Sequence, residues 1–312
     1  MGPMNDGTMR DAASTLVPGP WRHRFVSANG ARFHVAEAGD GPLVLLLHDF
    51  PQFWWAWRHQ LVSLAEAGYR VAAMDLRGFG SSDKPPVGYD TFTSAADVAS
   101  VVRSLGERSA VVVGQGLGAW IAWSMPSLQP PATRAVVALG APHPLALRTA
   151  SLTLPTQIQA GRTFAGLQRP FVPERRLGDP ASGYVARILT EWSAPGATWL
   201  DVDITTRYAE QMALPFVAHS AAEYYRWMAR SQLWISGRQW AAALRRPMRV
   251  PALHLHGAED RAVLPITMGG SARYAAAGLD AHLLPGTGHF VAEEAPERVD
   301  ALLPPWLAAL PR

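Results

Sequence analysis

The sequence predicts an α/β fold, a mostly parallel sheet flanked by helices with a helical segment inserted into it. Two observations predict this. Short apolar runs of β type alternate with helix-compatible stretches through residues 33–142, the spacing of successive βαβ units. That alternation stops near Pro144, and strand character returns only at Val250.

Taken in order, FHVAEAG at 33–39 and PLVLLLH at 42–48 read as early strands. The second is apolar up to His48, the pattern of a strand covered on both faces. A helix over 57–67 is followed by YRVAAMDLRG at 69–78 as strand and loop. Residues 95–105 are helical, and SAVVVG at 109–114 and RAVVALGAP at 134–142 are strands. From 144 to 246, aromatic, Arg and Ala residues recur at helical spacing between Pro170, Pro173, Pro195 and Pro215. VPALHLHG at 250–257 and AHLLPG at 281–286 then restore the sheet. The expected organisation is a mobile tail over 1–20, a first core part over 21–143, a helical cap over 144–246 and a second core part over 247–312.

Composition excludes several function classes. Of 312 residues, 48% are hydrophobic and 17% charged, enough for a large core and unlike a disordered chain. The net charge of +3 is carried almost wholly by arginine, since Lys84 is the only lysine. The basic residues are scattered, with no run interleaved with aromatics, so nucleic acid is not an expected partner. No apolar run reaches the roughly 18 residues of a membrane span, and no membrane partner is expected. The first 20 residues lack the apolar centre of a secretory signal. With no cysteine there is no disulfide, thiolate ligand or thiol nucleophile. His48, His254 and His256 lack metal-ligand spacing, and Gly-Gln-Gly-Leu-Gly lacks both the spacing and the acidic partner of a dinucleotide loop. The expectation is a soluble, cytoplasmic protein that takes a small molecule and needs no cofactor or metal; its oligomeric state is not legible.

The chemistry-bearing landmarks run LLLHDFP, DLRGFGSSDKP, VVVGQGLG, a helical insertion, LHLHGAEDRAVLP and LPGTGHF. In that order they make the chain resemble the α/β-hydrolase superfamily, and its epoxide hydrolase branch in particular, from about Trp21 to the end. The resemblance implies the α/β-hydrolase fold, with an eight-stranded sheet and a lid over the carboxyl ends of its strands. It also implies a mechanism in which an elbow Asp opens the epoxide and a His–Asp pair activates the water that hydrolyses the resulting ester. By the same resemblance His289 is the general base and Asp260 the acid that orients it, while the adjacent Glu259 would point elsewhere from a tight turn. Imidazole suits the role because its ordinary pKa lies near neutrality.

Departures from the family pattern matter as much. The residue at the nucleophile position of G-x-Nu-x-G is Gly116, which has no side chain to attack with. It marks either a plain strand-to-helix turn or a reshaped site. Gln115 replaces the usual preceding His. Of the two tyrosines that bind the epoxide oxygen, Tyr225 matches one, or Tyr224 if the register is off by one. Thr163 stands where the other is expected. The HDFP loop resembles the family's oxyanion loop, making the backbone N–H groups of Phe50 and Leu117 the oxyanion donors and Phe50-Pro51 a candidate cis peptide. Its second residue, normally Gly, is Asp49. That carboxylate either reaches the elbow or turns away to bond local backbone amides, the expected behaviour of Asp in a turn. Trp54 and Trp55 are expected to line the pocket with Asp49, Gln115 and Thr163.

Three functions remain. The leading one is non-covalent acid–base chemistry on a small, largely apolar molecule, with His289–Asp260 as base, Tyr225 as acid and space for water above Gly116. The second is an inactive relative that binds a small molecule or a protein. The third is an ordinary epoxide hydrolase with a relocated carboxylate nucleophile.

Overall fold

The computed structural model describes residues 12–311. Its eight strands are β1 (Arg22–Ala28), β2 (Ala31–Ala38), β3 (Leu43–Leu47), β4 (Arg70–Met74), β5 (Ala110–Gln115), β6 (Thr133–Leu139), β7 (Ala252–Gly257) and β8 (Leu279–Leu284). They form one sheet in the order β1-β2-β4-β3-β5-β6-β7-β8. The β1–β2 and β2–β4 pairs are antiparallel, and the pairs β4–β3, β3–β5, β5–β6, β6–β7 and β7–β8 are parallel. Every residue of β3 and β5 is buried, which is why β3 and residues 110–114 of β5 carry no polar residue and show no alternation. β8, at the sheet edge, is half exposed and reads as mixed.

Sequence reading missed β1. Asn29 and Gly30, both at positive φ, close its hairpin with β2, and Asn-Gly between two strand-forming runs is the signal that announces such a turn. Residues 12–20 also depart from the mobile tail expected over 1–20, of which 1–11 lie outside the described residues. Thr15 is buried, its hydroxyl lies 2.8 Å from that of Ser81, and its carbonyl accepts from the Trp54 indole at 2.8 Å. The Trp21 indole in turn donates to the Val17 carbonyl.

Helices α1 (Arg58–Glu66), α2 (Thr91–Ser104) and α3 (Leu117–Leu128) connect the first strands. Between β6 and β7 come α4 (Pro144–Thr153), α5 (Pro155–Ala160), α6 (Arg162–Gly166), α7 (Val172–Leu177), α8 (Tyr184–Trp192), α9 (Val202–Met212), α10 (Val217–Arg230) and α11 (Ile235–Leu244). Helices α12 (Val291–Glu294) and α13 (Pro296–Ala308) close the chain, α13 packing on α1. Trp192 of α8 and Tyr225 of α10 place their rings against His289 and Phe50, so the inserted helices meet the loops at the carboxyl ends of β8 and β3. Ligands of open parallel sheets bind at those ends.

Candidate active site

Strand β5 runs into α3 through Gly116, whose φ of 50° and ψ of −107° favour glycine. Gly118, in the first turn of α3, lets that helix approach β3: a Cβ there would stand 2.0 Å from the Leu47 carbonyl oxygen. A Cβ on Gly116 would meet the carboxyl carbon and both oxygens of Asp49 at 2.1–2.2 Å. The volume above the elbow, expected to be open to water, is therefore filled by a carboxylate from another loop.

Asp49 follows β3 and is buried. Its Oδ1 accepts from the Leu117 backbone N–H at 2.7 Å. Its Oδ2 lies 3.0 Å from His289 Nε2, within ion-pair distance but without the alignment of a hydrogen bond. The expectation that Asp49 turns away to local amides is thus corrected, for two reasons. Gly116 supplies no side chain to exclude it, and His48 fixes its backbone. His48 Nε2 accepts from the Leu76 N–H at 3.1 Å, so Nδ1 carries the proton and donates to the Asp49 carbonyl at 2.7 Å. Burial lowers the His48 pKa and favours this neutral form. The Phe50-Pro51 peptide is cis.

His289 stands in the loop after β8, and its Nδ1 lies 2.7 Å from Asp260 Oδ2. Asp260 Oδ1 is held by the N–H groups of Ala262 and Val263 at 2.8 and 2.9 Å, leaving Oδ2 aimed at the imidazole. Glu259 is exposed and outside this arrangement. Burial opposes charge on His289, but Asp260 and Asp49 outweigh it and raise the imidazole pKa to about 10. An imidazolium between two carboxylates is the resting state at neutral pH.

The His289 pKa in the folded chain lies above its ordinary value of 6.5. Its contribution to stability is therefore complete below about 6.5 and is lost as pH rises toward 10. Urea unfolding should show the advantage of the wild type over His289→Gln shrinking between pH 7 and pH 10, by about the interval set by that shift. A constant difference would contradict the paired imidazolium.

Gln115, expected in the pocket, instead braces the His289 loop. Its Nε2 donates to the His289 carbonyl at 2.5 Å and its Oε1 accepts from Ala292 N at 3.3 Å. Glu294, which sequence reading did not single out, accepts from the N–H groups of Ala194, Gly288 and Phe290 and so organises the same loop. His256 Nε2 lies 2.8 Å from the Val263 carbonyl and 3.4 Å from Asp260 Oδ2, and no group of residues with the makings of a metal site occurs among the described residues.

Above the carboxylates the aromatic rings differ from those expected. Tyr225 packs on Phe50 and Phe164, with centroid separations of 5.5 and 5.1 Å. Burial, then the charge of Asp49, pushes its pKa well above that of ordinary phenol, so its hydroxyl stays protonated. Tyr224 points away, donating to the Arg77 carbonyl at 3.0 Å, which removes the alternative register. From α6 it is Phe164 that faces Tyr225, while its neighbour Thr163 is absent from the lining of the adjacent cavity. Trp54 is turned into the core by its bond to the Thr15 carbonyl. Trp55 packs on Phe53 and Arg58, so neither tryptophan lines the cavity. Trp192, unremarked in the sequence, covers His289 edge-on at 5.2 Å. A cavity of about 480 Å³ lies beside the site among α4, α5, α6 and α10, walled by Trp120, Leu147, Phe164, Tyr225, Met228 and Val263. Asp49, expected to line the pocket, and His289 are both absent from its lining, and Tyr225 stands between it and them.

Fold and site together define the class: the chain belongs to the alpha/beta hydrolase family, which it matches over residues 44–302. Epoxide hydrolases are prominent among its relatives. Epoxide hydrolase A of Mycobacterium tuberculosis is 30% identical, over 92% of this chain and 97% of that protein. The AB hydrolase superfamily protein YfhM of Bacillus subtilis is 33% identical, over 67% of this chain and 74% of its own length. Among solved structures, an epoxide hydrolase from an endophytic Streptomyces is 30% identical, with a TM-score of 0.81 over 94% of this chain and 97% of that one. Among the described residues no helix is long and apolar enough to cross a membrane.

Proposed function

We propose that the protein is an epoxide hydrolase-like enzyme whose nucleophile is Asp49, delivered from the oxyanion loop in place of a side chain at Gly116. One observation carries this reading: the Asp49 carboxylate overlaps the volume of an elbow side chain, with Oδ1 on the Leu117 N–H and Oδ2 beside His289 Nε2. Oδ2 attacks a ring carbon and the carbon–oxygen bond breaks. Tyr225 hydrogen-bonds the departing oxygen, whose net proton comes from the His289 imidazolium. Ester formation removes the charge of Asp49, so the pKa of His289 falls and the now neutral imidazole takes a proton from water. That water attacks the ester carbonyl and the oxyanion on Oδ1 is held by Leu117 N–H. Collapse breaks the acyl carbon–oxygen bond, the water's second proton passes to the departing alkoxide, and the diol leaves with the Asp49 carboxylate and the protonated His289 restored. The inserted helices act as the cap that keeps the ester from bulk water.

This reading displaces non-covalent catalysis, which needs space above Gly116 and a neutral His289 at rest. A single turnover in H₂¹⁸O with enzyme in excess tests it. The label is expected in the peptide containing Asp49, and the first diol is expected unlabelled. Label in the first diol with none at Asp49 would restore direct water attack. Neither ester nor diol across a panel of epoxides would leave a binding protein.

A further inference from the structure

The mouth of the cavity carries a surface that catalysis does not use. Leu152 and Ile158 line the cavity yet are 69% and 52% exposed, which places them at its rim. Across from them Ala229 and Gln232 line the cavity, and the chain continues directly into Leu233, Trp234 and Ile235, exposed by 80%, 65% and 73%. Three consecutive large apolar side chains in water are costly unless something covers them.

Charge is sorted on the same segments. Residues 144–173 and 224–258, which supply most of the cavity wall, contain nine arginines and no Asp or Glu. All 25 acidic residues lie elsewhere, so although the chain carries only +3 in total, everything outside these segments sums to −6. Arg226 is consumed by Glu174 and Glu223. Arg148 at the cavity wall and the exposed Arg162, Arg230 and Arg238 have no carboxylate partner among the described residues. The arginines are scattered along the sequence, but the acids that would neutralise them are not.

We propose that this face docks on an anionic lipid surface, with Leu233, Trp234 and Ile235 entering the headgroup region and the arginines facing lipid phosphates. Aliphatic and indole side chains flanked in sequence by exposed cations, here Arg230 and Arg238, are the composition of an interfacial anchor. A second copy of the chain fits less well, because apposing two such faces brings arginine against arginine. Nucleic acid fits less well too, since Leu233 and Ile235 offer neither stacking nor phosphate contacts. Docking would set the apolar cavity against the phase in which an apolar substrate dissolves. The expectation of no membrane partner rested on spans alone, and a surface anchor needs none. The docking stands on this surface and does not depend on Asp49 being the nucleophile.

Sedimentation of the full chain with vesicles tests it, comparing pure phosphatidylcholine with phosphatidylcholine containing about one-third phosphatidylglycerol. Binding is expected only to the mixed vesicles and should weaken as salt screens the arginines. Trp234→Ser, Leu233→Ser and the pair Arg230→Gln with Arg238→Gln should each weaken it at least about tenfold, in keeping with the marginal affinity of single anchors. These exposed sites lie outside the catalytic group, so circular dichroism and turnover of a water-soluble epoxide should be unchanged. Absence of binding to mixed vesicles, or binding indifferent to all of these changes, would overturn the proposal. So would a solution dimer dissolved by Leu233→Ser without lipid binding, or an affinity for DNA exceeding that for vesicles.

Discussion

Asp49→Asn is expected to abolish epoxide turnover, by about 10,000-fold or more, the scale seen when a nucleophile is removed. Asparagine preserves the shape of the site. Its Oδ1 still accepts from the Leu117 N–H, which Asp49 Oδ1 now does at 2.7 Å. Its amide group faces His289 Nε2, where Asp49 Oδ2 now stands at 3.0 Å. The fold should therefore survive, and the lost group is the attacking oxygen alone. The same change removes one of the two carboxylates that raise the His289 pKa to about 10, so the imidazole becomes neutral nearer ordinary pH. The two catalytic readings then diverge in sign. If Asp49 forms the ester, a freer base does not help, because there is no ester to hydrolyse. If His289 acts directly on water, Asp49→Asn supplies a better base, and turnover at neutral pH should hold or rise. Steady-state rates from pH 6 to pH 10, with the His289 pKa read by NMR in both proteins, decide between them.

The frame of this site is open to sequence reading, whereas the sequence leaves the direction of the Asp49 carboxylate as one of two alternatives. The apolar runs at the centres of β3, β5 and β6 announce themselves because strands covered on both faces are dominated by apolar residues. Asp260 and His289, whose side chains lie 2.7 Å apart, each stand a few residues beyond a legible strand, β7 and β8, so a short loop sets the direction of each. Asp49 lies 68 residues before Leu117, and its orientation depends on a side chain that Gly116 does not have. No local preference encodes such a contact, and turn chemistry pointed the other way. Helical phase explains the cap: Thr163 and Phe164 are adjacent, and which of them faces Tyr225 is set by how the five-residue α6 packs. Trp54 failed as a pocket residue because its indole had an earlier claim in the Thr15 carbonyl, part of a segment read as a free tail.

Two loops converge on one volume here, so the nucleophile should be transferable between them. Gly116→Asp alone is expected to eliminate activity and destabilise the fold. A side chain at φ 50° and ψ −107° is strained, costing about 1–3 kcal/mol. Its Cβ would also stand 2.1 Å from the carboxyl carbon of Asp49, so one group must leave. Two carboxylates in that space would further repel each other beside a single imidazole. Asp49→Gly alone removes the attacking oxygen and should be as inactive as Asp49→Asn. Combining the two changes relieves the overlap and restores the arrangement that the family resemblance implies, with glycine in the oxyanion loop and a carboxylate on the elbow. The Leu117 N–H and His289 Nε2, which bracket the Asp49 carboxylate at 2.7 and 3.0 Å, would then bracket the new one. Turnover in the double variant should exceed that of Asp49→Gly by at least about 100-fold, a modest return of the loss expected on removing a nucleophile. In H₂¹⁸O the label should move to the peptide containing position 116. A folded double variant no faster than Asp49→Gly would mean that a carboxylate at this point is not what opens the ring, and that the position of Asp49 serves His289 alone.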